Sequence, residues 1–228
     1  MVRAGKDAVR HPLFARFYAR LSVSAEPMVG PLRDELLAGL SGRVIEIGAG
    51  NGLNFAHYPR TVAEVVAIEP ERSLRKLALE AALRADVPVD VVPGAAEALP
   101  VKSEAFDAAV VSLVLCSVRD VERALREIRR VLRPGGELRF FEHGGGGGRV
   151  MRTTRRALDH TVWPLLFGGC HVSRDPVGAI GAAAFEIEAV KELSLPPRGP
   201  RLPSSHHVLG RARRSGPDED IADQAVSA

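Results

Sequence analysis

Between positions 43 and 141 short apolar runs alternate with stretches of helical spacing, and that alternation narrows the possible folds more than any other feature of the chain. Arg43 to Ile47 runs into glycines, Glu64 to Ile68 ends in Glu69-Pro70, and Val87 to Val92 ends in Pro93-Gly94. Phe106 to Leu115 and Glu137 to Phe141 complete the series. Between the runs, Leu74, Leu77, Ala78, Ala81 and Ala82 keep helical spacing. Val121, Ala124, Leu125, Ile128, Val131 and Leu132 form one face of a further helix, which Asp120 can cap and Pro134-Gly135-Gly136 ends. Val- and Ala-rich strands without alternation are buried on both faces, so the pattern predicts an α/β fold: a doubly wound, mainly parallel sheet with helices on both faces.

Past the glycine run Gly144 to Gly148, read as a flexible break rather than a domain boundary, Val150 to Leu166 and Pro176 to Phe185 are helical. Ile187 to Leu195 and His206 to Ala212 predict an antiparallel C-terminal hairpin at the sheet edge. Leu13, Phe14, Phe17, Tyr18 and Leu21 share one helix face, so residues 1–42 are expected to form an N-terminal helical lid, after a loose polar start at residues 1–10. Residues 43–214 form the ligand-binding domain and 215–228 a disordered tail.

Lys+Arg 31 against Asp+Glu 28 leaves a net charge of +3, too slight for a nucleic-acid footprint. Two cysteines, Cys116 and Cys170, make no disulfide framework and suit a reducing compartment. The longest apolar run, Ala108 to Val118, is well under the ~20 residues of a membrane span, and nothing near the start reads as a signal peptide. The expectation is a cytoplasmic protein without nucleic-acid or membrane partners; oligomeric state is not legible.

Val44-Ile45-Glu46-Ile47-Gly48-Ala49-Gly50-Asn51-Gly52 reads as a strand, a glycine turn and then a helix. Such a turn lets a ligand approach the backbone closely and aims helix N-terminal amides at it. A dinucleotide fingerprint needs glycine where Leu53 stands. Glu46 adds a second objection: a carboxylate ~5 Å from a phosphate charge repels it by about 3 kcal/mol at an effective dielectric of ~20. The same carboxylate attracts the ammonium of a methionine moiety, so the turn favours S-adenosyl-L-methionine over NAD. Glu69, ending the next strand, is placed to accept the ribose hydroxyls of either ligand. In Gly94-Ala95-Ala96-Glu97-Ala98-Leu99-Pro100 a turn can set backbone amides and Glu97 beside an adenine, or Glu97 can simply cap a helix.

With these pieces in order, the chain resembles class I S-adenosylmethionine-dependent methyltransferases, whose motifs E-x-G-x-G-x-G, acid-proline, A-E-x-L-P and L-R-P-G-G stand here as Glu46 to Gly52, Glu69-Pro70, Ala96 to Pro100 and Leu132 to Gly136. It is similar in particular to the methyltransferase-like seven family of alkyl thiol methyltransferases. That likeness is carried by Asn54-Phe55 with Tyr58-Pro59, Val114-Leu115-Cys116-Ser117-Val118, Arg130 to Gly136, Glu142-His143, Leu158-Asp159 with Trp163, and Leu166-Phe167 with Gly169-Cys170. The resemblance implies a Rossmann-like fold with S-adenosyl-L-methionine held by Glu46, Gly48, Ala49, Gly50, Gly52, Asn54, Glu69, Pro70, Ala96, Glu97, Ser112 and Leu113. Glu69 stands where an aspartate is usual, and many relatives have an acid where Ala95 stands. The hydrophobic N-terminal anchor of the animal members has no counterpart, so membrane attachment does not carry over.

The implied reaction is an in-line methyl transfer to a small molecule, first a thiol; O-, N- or C-methylation of a natural product or quinone-like ring, or cofactor binding without turnover, are the alternatives. Alignment does most of the work, with effective molarities of ~10⁵ to 10⁸ M. A thiol of pKa ~8.5 falls short of full ionisation at pH 7 by about 2 kcal/mol, which a base or a polarising cation removes. His143, at the end of a strand, is the candidate base. Asp159, His160 and His171 are candidates to line the acceptor pocket, and Tyr18 and Phe14 to close over the sulfonium. Arg149, Arg152, Arg155 and Arg156 form a basic stretch, a solvated face or a dock for an anionic acceptor. Cys116 and Cys170 are read as buried apolar residues, and their spacing is no zinc signature, so no metal is expected.

Overall fold

The computed structural model describes residues 12–144, 148–161, 163–198 and 202–216. The expected loose start, the middle of the glycine run and the tail beyond Gly216 lie outside the described residues.

The elements in chain order are α1 (Pro12–Leu37), β1 (Gly42–Ile47), a 3-10 turn (Leu53–His57), β2 (Val62–Ile68), α2 (Arg72–Ala82), β3 (Val89–Val92) and β4 (Phe106–Ser112). They continue as α3 (Val121–Val131), β5 (Leu132–His143), α4 (Arg149–Asp159), α5 (Trp163–Leu166), α6 (Pro176–Ala182), β6 (Phe185–Ser194) and β7 (His206–Arg214). One sheet of seven strands has the order β3-β2-β1-β4-β5-β7-β6. The pairs from β3 through to β5 are parallel, and β7 runs antiparallel to both β5 and β6. This is the predicted doubly wound α/β sheet, with its C-terminal hairpin inserted so that the last strand, not β6, joins β5.

Alternate residues of each strand feed two cores. Ile45, Ile47, Ala109, Val111, Leu138 and Phe140 pack with Leu125 and Ile128 of α3 and Ile180 of α6. Val44, Val65, Ala67, Ala108, Val110 and Phe141 pack on the other face with Leu36 and Leu37 of α1 and Ala78 of α2. Asp120 caps α3 as expected, accepting from the Arg123 amide at 2.9 Å. Chain order reverses between β1 and β4, where Ile47 has Ile68 on one side and Val111 on the other. Ligands of open α/β sheets bind at the carboxyl ends of strands beside such a reversal.

One helix departs from expectation. The helix of Val150 to Leu166 is broken at His160 and Thr161, because Pro164 has no N–H for the His160 carbonyl; Thr161 Oγ1 instead accepts from the Trp163 amide at 3.3 Å. The N-terminal helix runs through Pro27 and Pro31 to Leu37. Two interior prolines at ~3 kcal/mol each cost about 6 kcal/mol, and burial of Val29, Leu36 and Leu37 at ~1.5–3 kcal/mol each is of the size that offsets them. Its predicted apolar face is only partly covered: Phe17 and Leu21 remain 51% and 50% exposed. No helix among the described residues is long and apolar enough to cross a membrane.

Candidate active site

The turn after β1 requires its glycines, with φ of 69°, 59° and 80° at Gly48, Gly50 and Gly52. A Cβ on Gly48 would stand 2.6 Å from Val114 Cγ2, so the loops after β1 and β4 touch there. The chain leaves this turn in a five-residue 3-10 turn rather than the expected helix, since Pro59 pushes Tyr58 to an extended backbone at ψ 129°. Nor do the glycine turn's amides fan outward. Those of Gly48 and Ala49 donate to the Ile68 carbonyl at 2.8 and 3.1 Å, and that of Gly52 to the Ala49 carbonyl at 3.0 Å. The Gly50 amide donates to Glu69 Oε2 at 2.8 Å.

The two predicted carboxylates both lie beneath the surface at this edge, Glu46 at 2% and Glu69 at 4% exposure. Glu46 accepts from Asn54 Nδ2 at 2.9 Å and the Tyr58 hydroxyl at 2.8 Å. Asn54 is held in turn by the Arg33 guanidinium, 2.6 Å from its Oδ1. Burial pushes Glu46 up to about 7, against the pull of the Tyr58 and Asn54 bonds and Arg33. Glu69 Oε1 accepts from the Glu71 amide at 2.8 Å, and burial pushes this carboxyl too up to about 7 despite its two amide donors. Pro70 leads into α2, whose N-cap is Glu71; Ala49 in the turn and Ala96 after β3 are both buried. Leu113, just past Ser112, takes φ 59°, uncommon for a branched residue, with its amide on the Phe141 carbonyl at 2.7 Å.

α1 crosses this edge. A Gly50 Cβ would lie 3.3 Å from the Tyr18 ring, and Asn51 Nδ2 donates to Ser22 Oγ at 3.1 Å. His57 sits between Glu26 Oε1 at 3.2 Å and Asp34 Oδ1 at 2.7 Å. Burial pushes the Tyr18 hydroxyl up to about 12, so it keeps its proton. The side chain of Phe14 lies outside the described residues.

Glu97 departs from the adenine-facing expectation. Its carboxylate accepts from the Arg119 amide at 2.9 Å and the Asp120 amide at 3.5 Å, ahead of α3, because those amides have no helical partner of their own.

Beyond the turn, Glu142 is wholly buried and accepts from the amides of Val114, Leu115 and Cys116 at 2.7, 2.9 and 3.4 Å. Burial lifts it to about 7 against those three bonds. Sequence reasoning gives it no role of its own, although an acid-histidine pair ending a strand is a usable signal. His143, half-buried, tilts against His207 with ring centroids 4.5 Å apart. Burial pulls the His143 imidazole down, but its bond with Cys116 and the neighbouring acid outweigh that, leaving it above its usual value. His207 is driven down to about 4 by burial and by His143.

Cys116 and Cys170 are buried, as expected, and the fold also brings them to His143: the two Sγ atoms and an imidazole nitrogen lie within 4.8 Å of one another. Their bond to each other raises the Cys116 thiol well above its usual value and lowers that of Cys170. Asp159 staples the Cys170 loop, accepting from the Val172 and Ser173 amides at 2.8 and 3.1 Å. His171 Nδ1 is 2.7 Å from the Gly169 carbonyl, and His160 is exposed. The arginines do not act as one face: Arg155 is buried with Nε on the Pro203 carbonyl at 2.8 Å, whereas Arg149, Arg152 and Arg156 are exposed.

The model of the methyltransferase domain matches residues 45–140. Human thiol S-methyltransferase TMT1A (Homo sapiens) is 31% identical over 194 residues, covering 80% of this chain and 79% of its own length. Mouse TMT1B (Mus musculus), also a thiol S-methyltransferase, is 32% identical over 206 residues, covering 88% and 82%. Among solved structures, an S-adenosylmethionine-dependent methyltransferase from Mesorhizobium loti superposes with a TM-score of 0.61 at 22% identity, over 82% of this chain and 97% of that one. A strand order reversing at a glycine turn, an acid at the carboxyl end of β1 and another just past β2, and this extent of identity have one reading: the chain belongs to the family of S-adenosylmethionine-dependent methyltransferases that includes TMT1A and TMT1B.

Proposed function

We propose that the chain methylates the sulfur of a small thiol, binding S-adenosylmethionine against the turn at Gly48 to Gly52 and the acceptor near His143. The observation that carries this reading is one sheet edge holding two buried carboxylates beside the turn and a sulfur-imidazole cluster at the end of β5. The thiol class is supported by the relatives' names.

The donor set suits the cofactor. An ionised carboxylate offers about four acceptor sites, and Glu69 has two amides on it, which leaves one site on each oxygen for a ribose hydroxyl. Glu46 opposes a diphosphate and favours a cation. Arg33, anchored by Glu26 at 3.2 Å and bonded to Asn54, is the cation for a methionine carboxylate. When bound, S-adenosylmethionine supplies a methyl group activated by positive sulfur. The chain's part is to fix the direction of approach and exclude water: Tyr18 over Gly50 makes α1 the lid, with Ser22 and Arg33 as its fastenings. Glu97 contributes through its turn rather than its carboxylate.

Both carboxyls titrate near 7, above their unfolded value of ~4.3, so each adds stability to the ligand-free protein that is complete below pH ~4.3 and lost as pH rises through 7. Ligand binding has the opposite sign, because it needs both ionised. Calorimetry should give a dissociation constant that falls as pH rises from 5.5 to 7.5, by roughly tenfold per unit for each carboxyl below its pKa, while ligand-free melting temperature falls. A flat binding profile counts against these carboxylates as the ligand's partners.

Incubation with methyl-labelled cofactor and a panel of small thiols, read by mass spectrometry, should yield labelled thioether. A labelled non-thiol product, or binding without product, overturns the thiol assignment. His143→Ala should slow turnover more for a high-pKa thiol than for an acidic one, whether the imidazole takes the proton itself or helps hold a cation. Equal slowing removes His143 from thiol activation.

A further inference from the structure

We propose that Cys116, Cys170 and His143 form a zinc site with three protein ligands and an open fourth position, which takes the sulfur of the acceptor. The fourth-position part rests on the thiol reading above; the metal part does not.

The three ligand atoms come from distant stretches of chain and lie within 4.8 Å of one another, with Cys170 Sγ 3.8 Å from His143 Nδ1. Ligands at ~2.3 Å (sulfur) and ~2.0 Å (nitrogen) around a tetrahedral ion stand ~3.5–3.8 Å apart, so the cluster closes on zinc with shifts of about 1 Å or less. Two cysteines and a histidine plus an open position is a donor set of catalytic zinc, and two thiolates cancel its charge inside a buried site.

The loops carrying the ligands are tied together without any metal. Glu142 gathers the amides of Val114, Leu115 and Cys116. The His171 amide donates to the Cys116 carbonyl at 2.8 Å, and the Arg174 guanidinium reaches the carbonyls of Leu115 and Val118, both at 2.7 Å. Gly169, at φ 89°, lets the two loops meet: a Cβ there would stand 3.0 Å from the Ser117 carbonyl oxygen. Supports that fix ligand rotamers in this way are what a metal site needs. Val172, Leu158, Trp163 and Phe167 pack around the cysteines.

An acceptor thiol entering the fourth position loses its proton to solvent and becomes a zinc-bound thiolate at neutral pH, which meets the ~2 kcal/mol shortfall without a dedicated base. Its sulfur bonds to the methyl carbon as the methyl–sulfonium bond breaks, the electron pair going to the departing sulfur. The neutral thioether is a weak ligand and leaves.

The test uses the full chain, purified under a phosphine reductant and dialysed against a chelator. Zinc added in competition with a chromophoric chelator should bind at one ion per chain, and Cys170→Ser and His143→Gln should weaken it on the order of 100-fold or more. Cobalt in place of zinc should give a thiolate charge-transfer band and strong visible bands of a tetrahedral ion. Circular dichroism checks that the variants fold; should either fail, wild-type protein decides the matter alone, through its zinc stoichiometry and its cobalt spectrum. Absence of stoichiometric zinc, unchanged affinity in folded variants, or a cobalt complex without a thiolate charge-transfer band overturns the site. A cobalt spectrum unmoved by 2-mercaptoethanol overturns the open position. Full-rate thiol methylation by metal-free protein overturns the role of zinc and leaves the thiol reading standing, whereas stoichiometric zinc in a protein that methylates no thiol overturns the thiol reading and leaves the metal site.

Discussion

Glu69→Ala should weaken S-adenosylmethionine binding by ~10²- to 10⁴-fold, measured by calorimetry at pH 7.5. Two hydroxyl bonds to a charged acceptor contribute ~1.5–3 kcal/mol each, hence ~3–6 kcal/mol in all. The substitution also strips the acceptor from the Gly50 and Glu71 amides, each 2.8 Å from the carboxylate, so the turn itself loosens. Glu69→Gln separates the two effects. The amide side chain still offers its oxygen to one of those donors and removes a buried charge, so ligand-free stability should hold within about 1 kcal/mol while affinity falls. A Glu69→Gln protein that binds within about threefold of the parent would mean that the ribose lies elsewhere.

Gly48→Ala should destabilise the fold by ~2–5 kcal/mol in urea unfolding. A non-glycine residue at φ 69° costs ~1–2 kcal/mol, and the new methyl falls 2.6 and 3.2 Å from the two γ carbons of Val114, an overlap of the kind that costs ~1–3 kcal/mol. Val114 cannot give way freely, since its amide is on Glu142 at 2.7 Å, so strain at the turn passes to the Cys116 loop. Val114→Ala in the same chain should recover the overlap and leave the backbone cost, a coupling of ~1–3 kcal/mol in a double-mutant cycle. A loss below about 0.5 kcal/mol, or no coupling, would show that the two loops are not in contact.

The sheet was legible because its strands are buried on both faces, and such strands differ in composition from everything around them; Val44 and Ile45 feed opposite cores just as an unbroken apolar run implies. Glu46 and Glu69 were legible for a related reason: a charge at the end of such a run, next to glycine or proline, marks the sheet edge where ligands bind. The helix that the glycine turn implies does not form, because Pro59 holds Tyr58 extended and ends the segment after one 3-10 turn. α1 keeps within the expected N-terminal helical segment and runs through Pro27 and Pro31, because the burial that carries it past them belongs to the sheet it packs on. Glu97 offered two readings, and the cap prevailed because the Arg119 amide lies against it.

From the order of residue types alone, the chain determined a parallel sheet with a glycine turn after β1 and acids buried at the ends of β1 and β2, since both follow from short stretches whose chemistry is local. Only the tertiary structure decided what stands beyond that turn. Cys116, His143 and Cys170 meet because β4 and β5 are neighbours and the His171 amide binds the Cys116 carbonyl, contacts between segments far apart in the chain that no spacing encodes.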